Sequence, residues 1–270
     1  MGHTLNSAEQ DSYERKRAFF DRVLTVYGRK PALEALRDTA LTCHAVHLAH
    51  SNRESGIIGA IREQAQARGI AIKLHSRDEL ARISRNGRQD QGVAVDILCP
   101  AFRSVDAYLS ALPGAPPQRL LALDGITNPQ NLGMIVRSAT AGRIDGILWA
   151  RKGNAALGPL VVKASAGTLY RAPLLVCASL PQALQQCAAR GVEICTLAAQ
   201  ARHTLFEHRA AGHCIYVLGN ESEGVSEAVS QLADTALSIP MSNRVESLNV
   251  AVTAGLIAYA PALARSYRER

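Results

Sequence analysis

Three stretches of the chain run from a short apolar segment into a polar turn, and each turn carries side chains suited to chemistry. The first covers residues 123–139. Its apolar run ends at Asp124-Gly125, and a helix then carries Arg137 six residues after Asn131. Near a helix start, the Asn131 amide suits capping of backbone groups or holding of a partner. Arg137 follows about one and two-thirds turns later, and a guanidinium fork suits phosphate oxygens. A capped helix with a surface arginine explains Asn131 alone, but not the whole string. The second stretch covers residues 217–226, where Gly219 lets backbone approach a ligand closely and Glu221 stands at a strand end. It is not a phosphate-cradling loop, since no Gly-Lys-Ser/Thr follows, nor is it the GxGxxG dinucleotide pattern. An ordinary strand, turn and helix is the competing reading. The third covers residues 237–252. A strand ends at Ile239-Pro240, and a polar loop leads to Ser247, a good N-cap. A long apolar helix then runs to about Tyr259, with Pro261 beyond it. A capped core helix accounts for most of this. It does not account for Asn249, a polar side chain in an apolar first turn that needs a partner.

Such residues need a scaffold that presents strand ends. From Arg119 onward, apolar runs at 120–123, 147–150, 194–197 and 214–218 follow at crossover spacing, with helical segments such as 180–190 between them. That alternation implies an α/β domain with a mostly parallel sheet and helices on both faces. In open sheets of this kind the ligand sits beyond the carboxyl ends of the strands, where all three stretches fall. Residues 25–98 form a smaller α/β unit. Its expected elements are a helix opened by Pro31, strands at 45–49, 70–74 and 92–98, and a helix at 57–68 stopped by Gly69. Residues 99–117, with Pro100, Pro113, Gly114, Pro116 and Pro117, read as a linker. Residues 1–24 read as a charged, helical leader, and 118–270 as the larger domain. There is no internal repeat.

The chain of 270 residues is 47% hydrophobic, which predicts a globular protein with room for two cores. A net charge of +7 favours an anionic partner such as nucleic acid. An aromatic content of 4% argues against a recognition surface of stacked rings. The six cysteines form no CxxC pair and no cysteine–histidine spacing of a zinc site, so they read as reduced thiols of a cytoplasmic protein with no metal. His203 and His208 read as surface residues in a polar loop. No apolar run is long enough to span a membrane, and no signal region is evident.

Taken together, the three stretches resemble the motifs of the SpoU (TrmH-type) family of RNA 2′-O-ribose methyltransferases. NPxNxGxxxR is matched by residues 128–137, GNExxG by 219–224, and the IPM…SLNVxVxxG segment by 239–255. Residues 27–36 look like the start of the family's RNA-binding domain, and Gln91-Gly92-Val93 like its end. The two-domain layout is closest to the RlmB-type 23S rRNA methyltransferases. The resemblance implies a trefoil knot at the C-terminal edge of the larger sheet and a homodimer whose active site is completed across the interface. It implies S-adenosylmethionine as cofactor, held by Leu197, Ala198, Gly219, Ile239 and Leu248. It implies catalytic roles for Asn131, Arg137, Glu221, Ser247 and Asn249. In that scheme Arg137 meets the reacting ribose or its phosphate, Asn131 and Glu221 orient it, and Ser247 and Asn249 hold the nucleotide or shape the loop. Arginine holds its proton too strongly to serve as a base, so a phosphate or water takes the 2′-hydroxyl proton, with Glu221 as the rival base. Candidate RNA contacts in the smaller domain are Arg29, Lys30, Arg53, Arg82, Arg85 and Arg88. The alternatives are a tRNA ribose methyltransferase, an antibiotic-resistance rRNA methyltransferase, or a non-enzymatic RNA-binding module with a decayed site. A dinucleotide-dependent oxidoreductase lacks its glycine fingerprint here.

Overall fold

The computed structural model describes residues 19–266. Most of the expected leader, including its charged helical stretch, lies outside them. The chain divides into two compact units that meet at Pro100 and Ala101, with residues 157–159 grouped with the first.

The first unit is a four-stranded sheet of order β1-β4-β2-β3, built from β1 (Val23–Tyr27), β2 (Thr42–Ala49), β3 (Ala71–His75) and β4 (Val93–Leu98). Only β2 and β3 are parallel; β4 runs antiparallel to both neighbours. Val23 and Leu24, expected in the leader, belong to β1, and the alternating burial of that strand explains why: Leu24 and Val26 point into the core. Helices α1 (Arg29–Arg37), α2 (Ile57–Ala67) and α3 (Arg77–Ser84) complete the unit. The first helix begins at Arg29, two residues ahead of Pro31, because Gly28 at φ 96° turns the chain out of β1. Ser76 and Glu79 cap α3 reciprocally. A buried polar chain crosses the sheet, in which Thr25 donates to Asp96 and His47 bridges Asp96 and His75 at 3.0 Å each. Burial alone would raise the Asp96 carboxyl, but the hydrogen bonds from His47 and Thr25 outweigh it and hold the group below its ordinary value.

The second unit is an eight-stranded sheet of order β10-β12-β9-β11-β6-β7-β8-β5. Its strands are β5 (Arg103–Ser104), β6 (Arg119–Leu123), β7 (Gly146–Ala150), β8 (Leu174–Cys177), β9 (Glu193–Leu197), β10 (His203–Thr204), β11 (Cys214–Leu218) and β12 (Thr235–Ser238). Every pairing is parallel. The helices are α4 (Val105–Ser110), α5 (Pro129–Ala141), α6 (Pro159–Ala164), α7 (Leu180–Ala188), α8 (Glu227–Ser230) and α9 (Val250–Ser266). One face of the sheet buries Leu120, Leu148, Ile194 and Ile215 against Leu184 of α7 and Leu109 of α4. Residues 99–117, expected as a linker, thus contain an edge strand and a helix of this unit. The apolar spacing of Val105, Tyr108, Leu109 and Leu112 drives them onto the sheet despite the prolines that follow.

The last helix departs from the expectation that it ends near Tyr259, because Pro261 lies inside it. Proline has no N–H for the carbonyl four residues back, which is that of Ile257. Arg119, the first residue of β6, supplies the missing donor, its guanidinium reaching the Ile257 oxygen at 2.7 Å. The Ala258 carbonyl accepts in turn from the Arg143 backbone N–H at 3.1 Å. Ile257 is fully buried, so its oxygen has no water to turn to. Replacing Arg119→Met is expected to cost about 1–3 kcal/mol in urea denaturation. Adding Pro261→Ala, which restores a backbone N–H, recovers part of that loss. Strictly additive single and double variants would overturn the assignment.

Candidate active site

The register of the sheet levels the carboxyl ends of four adjacent strands. Leu237 pairs with Leu197, Thr196 with Val217, and Leu218 with Leu123. Four loops therefore leave one edge side by side, after Ser238, Leu197, Leu218 and Leu123. The residues expected to hold the cofactor, Leu197, Ala198, Gly219 and Ile239, stand at the roots of three of them. Leu248 lies further along the loop that Ile239 begins and is 37% exposed; Met241 and Val245 of the same loop are exposed too. Apolar groups beside strand-end backbone are the kind of lining a small ligand uses. Gly219 also serves the loop itself. A side chain there would meet the backbone of Gly224 and Val225 at 2.2–2.4 Å, so the close approach is made by the chain itself. Asn220 and Gly224 exchange two backbone hydrogen bonds, at 2.8 and 2.9 Å, that close this loop.

Within the first loop, Asn128 rather than Asn131 caps α5, its side-chain oxygen accepting from the Gln130 and Asn131 N–H groups at 2.8 and 3.4 Å. Pro129 at the first helical position fits that cap. Asn131, one turn in and only 6% exposed, is thereby free to hold a partner. Its Nδ2 donates to Glu221 Oε1 at 2.6 Å. Asn249 Nδ2 donates to the same Glu221 oxygen at 3.0 Å and to Asn131 Oδ1 at 3.3 Å. Three separate segments thus meet in one hydrogen-bonded ring. Asn249 also caps α9, its Oδ1 accepting from the Ala251 N–H at 2.9 Å and its carbonyl from Thr253 at 3.1 Å. That cap was expected at Ser247, which instead lies exposed in the preceding loop. The helix starts later because Asn249 satisfies both the helix end and the ring, and Ser247 reaches neither. A cavity of about 110 Å³ lies beside the ring, lined by Thr127, Asn128, Asn131, Asn220 and Glu221 among others.

Arg137 is not part of this group. It is exposed and makes no hydrogen bond or ion pair among the described residues. Six residues along a helix is a rotation of about 240° from Asn131, so the two side chains leave α5 on different faces. Asn131 and Glu221 therefore do not orient Arg137 within one chain. Arg137 instead shares an outward stripe with Gln130 and Met134, and the neighbouring α9 exposes Val252 and Tyr259 at 52% and 44%.

Two supporting residues carried no sequence signal beyond their type. Asn154 donates to the Leu123 and Ala150 carbonyls and accepts from the Ile126 N–H, so it ties the β6 and β7 ends together. Asp124 accepts from the Ser226 N–H at 2.7 Å. Cys99, Cys177 and Cys187 are not activated nucleophiles: burial pushes Cys99 up to about 12, and the half-buried Cys177 and buried Cys187 to about 11.

Comparison with known proteins shows the family. The SpoU rRNA Methylase family matches residues 118–259, and the family described as RNA 2'-O ribose methyltransferase substrate binding matches residues 25–98. A Mycobacterium avium (strain 104) protein named as an uncharacterized tRNA/rRNA methyltransferase is 34% identical over 233 residues, covering 86% of this chain and 75% of the relative. A protein of the same description from Mycobacterium tuberculosis (strain ATCC 25618 / H37Rv) is 34% identical over 237 residues, covering 88% and 73%. Among solved structures, the SpoU methyltransferase AviRb from Streptomyces viridochromogenes, in complex with AdoMet, superposes with a TM-score of 0.60 at 20% identity, over 98% of this chain and 95% of that one. An AdoMet-bound rRNA methyltransferase from Sinorhizobium meliloti gives 0.60 at 19% identity, over 97% and 91%. The chain belongs to the SpoU rRNA methylase family and is an RNA methyltransferase.

The ring makes a prediction that separates its two jobs. Asn249→Ala loses a helix cap and the bridge to Asn131 and Glu221, and is expected to cost about 1–2 kcal/mol. Asn249→Ser keeps a capping oxygen but cannot span the ring, so it regains the cap energy alone. Equal stability of Asn249→Ser and the parent in chemical denaturation would show that the ring contributes nothing.

Proposed function

We propose that the chain transfers a methyl group from S-adenosylmethionine to a ribose 2′-hydroxyl of RNA in the cytoplasm, with large ribosomal RNA as the substrate. The observation that carries this reading is the meeting of Asn131, Glu221 and Asn249 at the same sheet edge as the roots of the β9, β11 and β12 loops. The cofactor fits there: strand-end backbone at Leu197, Ala198, Gly219 and Ile239 offers polar contacts, and Leu248 offers an apolar wall. In the knotted arrangement that the family resemblance implies, these loops form its bed. When bound, the sulfonium supplies an activated methyl group.

The protein's part is then position and charge. The ring fixes three loops, so that the reacting hydroxyl is held in line without loop rearrangement. Arg137 keeps its proton and places a fixed positive charge against the phosphate beside the reacting ribose. The hydroxyl proton passes to that phosphate or to water. Because Arg137 leaves α5 away from the ring, it serves the site of a second copy. The exposed stripe of Met134, Arg137, Val252 and Tyr259 supports a homodimer through α5 and α9.

Residues 25–98 present the RNA. Their β1, β2 and β4 loops converge at one sheet edge, where Arg29 donates to Gln91 and Asn52, and Asn52 to the Gly92 carbonyl. Lys30 is exposed in the first turn of α1, and Arg53, Arg85 and Arg88 are exposed in loops, all suited to phosphate contacts. Arg82 is exposed on α3. Arg29 is partly consumed by its own loop contacts and acts chiefly as a brace.

The test is incubation with labelled S-adenosylmethionine and unmodified total RNA, followed by mapping of ribose methylation in separated large rRNA and tRNA. Label at one 2′-O position of large rRNA is expected, reduced about 10²- to 10³-fold by Arg137→Ala. Mixing Arg137→Ala with Glu221→Ala subunits restores part of the activity if Arg137 acts across a dimer. Label in tRNA would keep the chemistry and replace the substrate; no label with RNA still bound would leave an RNA-binding module.

A further inference from the structure

The opposite end of β9 gathers a second group of side chains, away from the candidate active site. Glu193 and Cys195 are two residues apart on this strand and so point to one face. In register beside Cys195 lie Tyr216 on β11 and Thr235 on β12. The turn after β10 brings His208 over them, its N–H bonded to the Thr204 carbonyl at 3.1 Å. His208 Nε2 lies 3.1 Å from Glu193 Oε1 and 3.8 Å from Cys195 Sγ. One ligand atom from each residue falls within 4.8 Å of the other two. Ligands around tetrahedral zinc, at ordinary bond lengths, stand about 3.4 Å apart for nitrogen and oxygen and about 3.6 Å for nitrogen and sulfur. The two separations from His208 match within a few tenths of an ångström.

We propose that Glu193, Cys195 and His208 bind a tetrahedral divalent metal ion of the zinc class. Thiolate, imidazole and carboxylate together suit zinc, whereas magnesium and calcium take oxygen alone. Two further contacts hold the ligands in the geometry a metal needs. Tyr216 OH lies 3.1 Å from His208 Nδ1, which leaves Nε2 to face the site. Thr235 Oγ1 donates to Glu193 Oε1 at 3.1 Å. His208 and Tyr216 also line a cavity of about 380 Å³, together with Arg119, Leu205, Arg209 and Pro261. Solvent from that cavity completes the fourth position. Binding releases the Cys195 thiol proton to solvent and ties the turn after β10 to the start of β9.

The test uses untagged full-length protein stripped with chelator and titrated with cobalt(II). One equivalent is expected to produce the intense visible bands of a tetrahedral site and a near-ultraviolet sulfur-to-cobalt band, both removed by zinc. Cys195→Ser abolishes the sulfur band. His208→Gln and Glu193→Gln weaken binding, and Tyr216→Phe lowers affinity about tenfold. Zinc raises the melting temperature of the parent protein but not of His208→Gln. The stripped variants' own melting curves separate lost binding from lost folding, and should Cys195→Ser fail to fold, the two glutamine variants decide. A sulfur band that persists in Cys195→Ser, or the absence of stoichiometric binding by the parent, overturns the site and leaves a histidine–glutamate ion pair over a buried thiol.

Discussion

The Glu221 carboxylate oxygen that accepts from both Asn131 and Asn249 is the point on which the candidate site turns. The three residues are separated by 90, 118 and 28 positions in the chain. Each comes from a different loop, and each loop has its own closure: Asn128 caps one, the Asn220–Gly224 pair closes the second, and Asn249 caps the third. An amide can donate and accept at once, so two asparagines share one oxygen of the exposed Glu221 carboxylate while Asn131 also accepts from Asn249. A residue of similar size with only one function, such as leucine or aspartate, would leave a neighbour without its partner. The arrangement thus explains why a polar side chain stands in the first turn of α5 and another at the cap of α9.

Much of this was legible in the sequence, and the reasons are local. The fully buried strands of a parallel sheet read as unbroken apolar runs, as β6, β7 and β11 do. The unpartnered look of Asn249 was itself informative, since the structure supplies the partners. What escaped was set by tertiary contacts. Val105 to Leu112 lay hidden between prolines, and β5 and β10, at two residues each, are too short for any periodic signal. The outward direction of Arg137 follows from its helical rotation, which motif order alone does not reveal. The grouping of Glu193, Cys195 and His208 has no familiar ligand spacing because a single strand and a returning turn assemble it.

The larger sheet therefore has two chemically distinct ends. At the carboxyl edge, amides and one carboxylate act by position. At the amino end of β9, a thiol, an imidazole and a carboxylate share one face with a tyrosine. The same strand carries both, Glu193 at its start and Leu197 at its finish, so anything that fixes its first residue also fixes the root of the loop beyond its last.

The Arg119 contact with the α9 carbonyl has a bearing on how this unit is made. It joins the first residue of β6 to a helix 138 positions later in the chain. Contacts of such separation demand that a long intervening loop be closed before any of them is rewarded. During synthesis strands β5 to β12 and helices α4 to α8 emerge with one apolar flank still bare, awaiting α9. The methylase unit is on this account a late closer, exposed to misassociation until its last turn arrives.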